Sequence, residues 1–201
     1  MNLNNAIRAG ITIAAAMIGM MGAVKANPAS MVIIGEANPP IGAYQFCRDY
    51  PNDCRNPAGD AGELILTEER WKEILRINYQ VNSTIRPATD MEVYGVEEHW
   101  DYPKTAGDCE DYALLKRKML IEAGISPSDL LMTVVLQPSG EGHAVLTVRT
   151  DRGDFILDNM RNKVMLWSDT EYTYLKRQAT ANPARWVKLQ DGRAVAVGSV
   201  R

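Results

Sequence analysis

The sequence predicts an α+β fold in which N-terminal helices pack on an antiparallel sheet. Two helical periodicities come first, over 67–81 and 108–124. Three strand-like runs then follow in quick succession, joined only by turn-rich links.

The chain opens with one basic side chain, Arg8, then the apolar small-residue run "AGITIAAAMIGMMGAV", then "KAN". Val24 and Ala26 occupy the minus-three and minus-one positions of a cleavage site, so 1–26 reads as a secretory signal peptide. A retained anchor is the competing reading, but the run falls short of the roughly 18 apolar residues that span a bilayer. No later stretch is long or apolar enough to form a transmembrane segment. Cleavage after Ala26 leaves 27–201 as a single domain, periplasmic or secreted. The removed segment carries Arg8 and Lys25 and no acid, so the exported chain is more negative than the −3 of the whole sequence. That charge offers nucleic acid no electrostatic footprint.

Residues 27–60, rich in Pro, Gly and Asn, read as an irregular wrapping segment. Within it Cys47 and Cys54 bracket Pro51 and the turn-forming Asn52-Asp53. In an oxidising compartment that spacing allows a local disulfide closing a small loop. A reduced pair is the other state the spacing permits, and the bridge is the expectation carried forward. Pairing these two leaves Cys109 as the lone cysteine.

Thr67 is placed to cap a helix whose first turn holds Glu68 and Glu69. Trp71, Ile74, Leu75, Asn78 and Val81 recur at helical spacing. Asn78 and Asn82 lie i,i+4 on one face, where they can reach active-site loops or merely close a neighbouring turn. A mixed loop runs from Pro87 to Thr105; its Glu97, Glu98 and Asp101 read as a solvated face, and Trp71 and Trp100 as core or cleft wall. The second helix begins near Asp108 and ends at Gly124, with Pro127 beyond it. Tyr112, Leu115 and Met119 form one stripe, with Ala113, Leu120 and Ala123 beside it. The strand-like runs are "LLMTVVL" (130–136), "HAVLTVR" (143–149) and "DFILDN" (154–159), with "EYTYLKR" and "RWVKL" later.

This order brings chemistry together. Of the two histidines, His143 opens the second strand, and Asp158 ends the third. If the turn 150–153 sets Arg149 opposite Asp154, Val145 faces Asp158, and His143 and Asp158 become diagonal neighbours on one face. A one-residue slip would separate them. If the helix bearing Cys109 packs its N-terminus on that face, the three side chains converge. A cysteine at a helix N-terminus has its thiolate favoured by free N–H groups; an imidazole can take its proton, and a carboxylate can orient that imidazole. His99 is the rival histidine, without a carboxylate placed by any register. Singly, each residue has a plain structural explanation. In combination they form the pattern of a nucleophilic triad.

The stretches "GDCEDYALLKRKMLIEAG" and "GEGHAVLTVRTDRGDFILDN", with "NYQVN" and "EHWDYP" upstream, resemble the bacterial transglutaminase-like cysteine proteinases, which include the LapG-type periplasmic proteases. The resemblance implies a papain-like, transglutaminase-like fold with Cys109 as nucleophile, His143 as general base and Asp158 as its orienting partner. It also implies calcium held by the acids flanking the nucleophile, Asp108 and Glu110. The implied substrate is a large cell-surface adhesin, cut in a linker to control biofilm detachment, with a membrane-bound regulator as partner.

Physically, the acids around Cys109 admit two accounts. They cap the helix, or their oxygens hold a hard cation such as calcium. Uncompensated, they raise the thiol pKa and oppose a reactive thiolate, which favours the cation. Asp111, one position further into the helix, is free to orient a loop. The function predicted is an exported cysteine peptidase working through an acyl-enzyme on a protein substrate. The alternatives are a crosslinking acyltransferase with the same triad and a non-catalytic module that holds a peptide or wall polymer in its cleft. Loss of the cysteine or histidine would mark the latter, and both are present.

Overall fold

The computed structural model describes residues 30–190, so the predicted signal segment lies outside the described residues. In chain order the elements are β1 (Ile33–Ala37), α1 (Ile41–Asp49), α2 (Glu68–Thr84), β2 (Arg86–Pro87), α3 (Asp90–Val93), β3 (Ala106–Gly107) and α4 (Cys109–Glu122). The sheet strands β4 (Leu130–Leu136), β5 (Gly142–Thr150), β6 (Gly153–Leu157), β7 (Met165–Leu166), β8 (Thr173–Gln178) and β9 (Trp186–Leu189) follow. Among the described residues the main sheet has the order β1-β9-β8-β4-β5-β6-β7, with every pair antiparallel. The α+β expectation holds. The meander β4–β7 is extended by β8, which returns to the far side of β4.

The elements form for local reasons. Thr67 caps α2 by accepting the Arg70 N–H at 3.2 Å, and Ile74, Ile77, Asn78 and Val81 turn inward. Leu75, expected on that stripe, sits on the outer side, 37% exposed. α4 ends at Gly124, whose φ of +85° is the left-handed conformation that a C′ glycine supplies. No helix among the described residues is long and apolar enough to cross a membrane.

Two expectations are corrected. The 27–60 segment is not irregular throughout, since it contains β1 and α1. β1 pairs with β9 through its backbone while its side chains stay largely exposed, so it lacks the in–out alternation that marks a strand in sequence. The 87–105 loop holds α3, closed by a capping box in which Thr89 and Glu92 satisfy each other's backbone N–H groups.

The sheet separates two apolar layers. Leu130 and Met132 of β4, Leu146 and Val148 of β5 and Leu157 of β6 meet α2 and α4. Val135, Val145 and Ile156 point the other way, toward Met31, Trp167, Tyr172 and Tyr174. α4 is buried over most of its circumference, and the buried set includes Lys116 and Arg117 as well as Tyr112, Ala113 and Leu114. Arg117 donates to the Leu130 carbonyl at 3.0 Å and to the Asp53 carbonyl at 3.2 Å, tying the cysteine loop to the helix.

Cys47 and Cys54 form the expected disulfide, with Cα atoms 5.4 Å apart, and Cys109 is the free cysteine among the described residues. Titration of non-reduced, denatured protein with a thiol reagent should therefore find one thiol per chain. Replacing both bridged cysteines by alanine should cost roughly 2 kcal/mol, as expected for closing so short a loop, and should lower the melting temperature. Three titratable thiols in material never exposed to reductant would refute the bridge.

Candidate active site

Cys109 is the first residue of α4 and Asp108 its N-cap, but the Asp108 side chain makes no capping hydrogen bond. The capping account of that acid is thereby corrected. The Cys109 thiol instead donates to Glu110 Oε2 at 3.0 Å, and Sγ accepts the Ala144 backbone N–H at 3.3 Å. Burial pushes the thiol pKa well above its ordinary value; the Glu110 carboxylate adds to this by charge and hydrogen bond, and Asp108 by charge. The Ala144 N–H works in the opposite direction.

The strand register is the one that alternation requires. Arg149 pairs with Asp154 and Leu146 with Leu157, which continues to Val145 opposite Asp158. His143 Nε2 lies 3.0 Å from Asp158 Oδ1, and both side chains are buried. Burial acts to raise the Asp158 pKa, but hydrogen bonds from His143, Tyr172 and the Met160 N–H together hold it below the usual carboxylate value. Asn82 Nδ2 donates to the Asp158 carbonyl at 2.9 Å, and Asn78 Nδ2 to the Asn162 carbonyl at 3.0 Å. The paired asparagines of α2 thus brace the loop that carries Asp158.

The expected packing is corrected in one respect. α4 covers the sheet face of Leu146 and Val148, whereas His143 shares the other face with Val145 and lies against the Tyr172 ring, 5.5 Å between centroids. Convergence therefore occurs at the start of β5 and not across the sheet face. There Cys109 and His143 line one cleft of about 300 Å³ with Trp100, Glu110, Gly142 and Ala144.

Glu110 also belongs to a cluster of acids beside this cleft. One oxygen from each of Asp90, Asp108 and Glu110 lies within 4.8 Å of the others. Asp90 Oδ1 and Asp108 Oδ1 are buried without any hydrogen-bond partner. Burial raises the pKa of all three; the Asp90 charge adds to it at Asp108 and the Asp108 charge at Glu110, while a hydrogen bond with Glu110 works the other way at Asp108. Three carboxylates, two of them with an orphaned oxygen, fit a hard divalent cation. Asp90 is not legible from sequence, where it is a first-turn acid behind the Thr89 cap. The parallel pairing of Pro87 with Gly107 brings it beside Asp108. Asp111 does orient a loop, accepting the Asp101 N–H at 3.0 Å, and it packs so tightly on Gly107 that a Cβ there would strike its carboxylate.

The remaining candidates resolve simply. Trp100 is a buried cleft wall whose Nε1 donates to Glu98 Oε1 at 2.8 Å, so Glu98 faces the cleft and is more than a solvated loop acid. Trp71 packs against Phe155 away from that cleft. His99 lies 4.0 Å from Asp101 and against the Tyr94 ring, and does not line the cleft.

Comparison with known proteins bears on this arrangement. A family model described as bacterial transglutaminase-like cysteine proteinase matches residues 33–194. The chain belongs to the bacterial transglutaminase-like cysteine proteinases. Among solved structures, calcium-bound Legionella pneumophila LapG shares 22% identity with this proteinase over 53% of the chain and 64% of LapG, with a TM-score of 0.47. The EGTA-treated form of LapG shares 20% identity over 64% of this chain and 74% of that one, with a TM-score of 0.49. Comparison with curated protein sequences gave no match.

Within electrostatic reach of Asp158 lies a buried lysine. Lys116 is fully buried, its Nζ has no hydrogen-bond partner, and burial pushes its pKa down to about 7 although the Asp158 charge opposes the shift. Below pH 7 the lysine is charged in both folded and unfolded chains, and its full burial cost is present. Above pH 7 the unfolded chain holds the extra proton until the ordinary value of 10.5, so stability rises with pH across that window. Lys116→Met should therefore melt above wild type at pH 7, and the gap should narrow toward pH 10. A gap that is independent of pH would show that Lys116 binds its proton equally in the folded and unfolded chains, so that burial does not lower its pKa.

Proposed function

We propose that this protein is an exported cysteine peptidase acting through an acyl-enzyme. The observation that carries the reading is the buried His143–Asp158 contact at 3.0 Å, with Cys109 lining the same cleft at the start of a helix. Because Asp158 occupies Nε2, that nitrogen carries the proton and Nδ1 is left to act as base. His143 Nδ1 takes the Cys109 proton as Sγ attacks a peptide carbonyl, and returns it to the leaving amine when the C–N bond breaks. Water, deprotonated by the same nitrogen, then opens the thioester and regenerates the thiol. An amine in place of that water would give crosslinking by the same steps. The substrate we propose is an exported or surface-anchored protein of the adhesin class, with a membrane-bound regulator. The proposed site of action is the periplasm or cell exterior, reached after cleavage behind Ala26. A search for exported proteins cut by wild type and not by Cys109→Ala tests this reading; identical fragment patterns would sink it.

Calcium is the cation we propose for Asp90, Asp108 and Glu110. It would neutralise carboxylate charge beside the thiol. In this chain Glu110 both accepts the thiol proton's hydrogen bond and belongs to the acid cluster, so its charge state and the reactivity of Cys109 are linked. Calcium should raise the melting temperature with concentration, by mass action on the folded state. Chelation should slow alkylation of Cys109 at neutral pH, by about tenfold for each unit of thiol pKa. Asp108→Asn with Glu110→Gln should abolish the thermal response. Equal melting temperature and equal alkylation rate in chelator and in excess calcium would eliminate the metal site.

A further inference from the structure

Asp158 has more donors than a carboxylate needs merely to orient one imidazole. Oδ1 is shared by His143 Nε2 and the Met160 N–H, each at 3.0 Å. Oδ2 accepts the Tyr172 hydroxyl at 2.6 Å and faces Arg161 Nε at 3.3 Å. Tyr172 is buried against both of these side chains, its ring 5.5 Å from the His143 ring and its hydroxyl on Asp158. Arg161 lies 5.3 Å from the Tyr172 ring centroid and is itself held by Glu171 at 2.7 Å. Donors on both oxygens fix the carboxylate plane, and with it the direction of the imidazole bonded to Oδ1.

Two consequences for proton transfer follow. A carboxylate gripped only through Oδ1 could rotate and let the imidazole swing off the thiol. A carboxylate with free lone pairs is also a stronger base, able to draw the Nε2 proton from an imidazolium once His143 has taken the thiol proton. A short hydrogen bond from a phenol and a guanidinium on Oδ2 oppose both outcomes. We propose that Tyr172 and Arg161 are positioning residues of the triad, holding Asp158 ionised and in one rotamer so that His143 presents Nδ1 to Cys109. This inference rests on the Cys109–His143–Asp158 reading.

The test uses the full-length protein in excess calcium, with iodoacetamide as the probe and the Cys109 peptide followed by mass spectrometry. Tyr172→Phe keeps the ring and removes the hydroxyl, and should slow alkylation about three- to tenfold, the net range of an ordinary intramolecular hydrogen bond. Because the hydroxyl acts through Asp158, the same change in an Asp158→Asn background should add nothing. The low-field proton NMR signal of His143 Nε2–H should shift in Tyr172→Phe, which a purely structural tyrosine would not cause when the melting temperature is kept. Arg161→Met, at a half-exposed position, should act in the same direction and with the same non-additivity. It carries the test if the tyrosine variant does not fold. Tyr172→Phe at the wild-type rate with an unmoved signal, or a slowing that persists in full in Asp158→Asn, overturns the proposal while leaving the triad standing. His143→Ala reacting at the wild-type rate overturns the triad reading itself, and this inference with it.

Discussion

Burial of the first turn of α4 is the constraint that shapes this site. Tyr112, Ala113, Leu114 and Leu120 draw the helix against the sheet, and the residues just before them go below the surface with it. Glu110 and Asp111 are buried as a result, and Asp90 and Asp108 are held beside them. Among the described residues no ion pair reaches any of the four. Charge removed from water and given no partner must be neutralised by protons or by a bound cation. Since the Cys109 thiol is hydrogen-bonded to one of these acids, whatever neutralises them also sets how readily the thiol ionises. A reactive nucleophile and an uncompensated acid cluster are not compatible at this helix start.

The second half of the site is specified by strand register. Seven consecutive residue pairs lock β5 to β4, and five lock it to β6. Displacing β6 by one residue would send Asp158 to the face of Leu157 and expel Ile156 from its layer, so the apolar pattern enforces the polar contact. The same alternation explains why the histidine lies on the face away from α4. The helix needs an apolar surface along Leu146 and Val148, and Cys109 and His143 meet instead in the cleft at the strand end.

Legibility in the sequence follows the range of the interaction. Periodicity found α2, α4 and the meander because each buries a regular face, and alternation alone placed His143 beside Asp158. It failed for β1, whose backbone is paired and whose side chains are not buried, and for α3, a single capped turn. Asp90 was hidden because its proximity to Asp108 depends on the two-residue parallel pairing of β2 with β3, which leaves no pattern in either segment. The burial of Lys116 and Arg117 was hidden for the opposite reason: charged residues on an amphipathic helix read as its wet face, and only the loop tied down through Asp53 closes over Arg117. Tyr172 and Arg161 lie outside β5 and β6, so no spacing within those strands pointed to them.

Two contrasting carboxylate environments, one behind His143 and one beside Cys109, support the proposed roles more firmly than any single distance. Asp158 is buried yet has donors on both oxygens, and stays ionised below the usual range. Glu110 is buried and Asp108 half-buried, and there desolvation, with repulsion from neighbouring acids added, pushes the pKa upward. When a fold drives similar groups in opposite directions, the satisfied one suits a fixed electrostatic task and the unsatisfied ones suit exchange with a ligand. In the proposed mechanism Asp158 thus serves His143 without itself taking a proton. The Asp90–Asp108–Glu110 cluster, which relaxes only on gaining positive charge, is the part of the site able to respond to its surroundings.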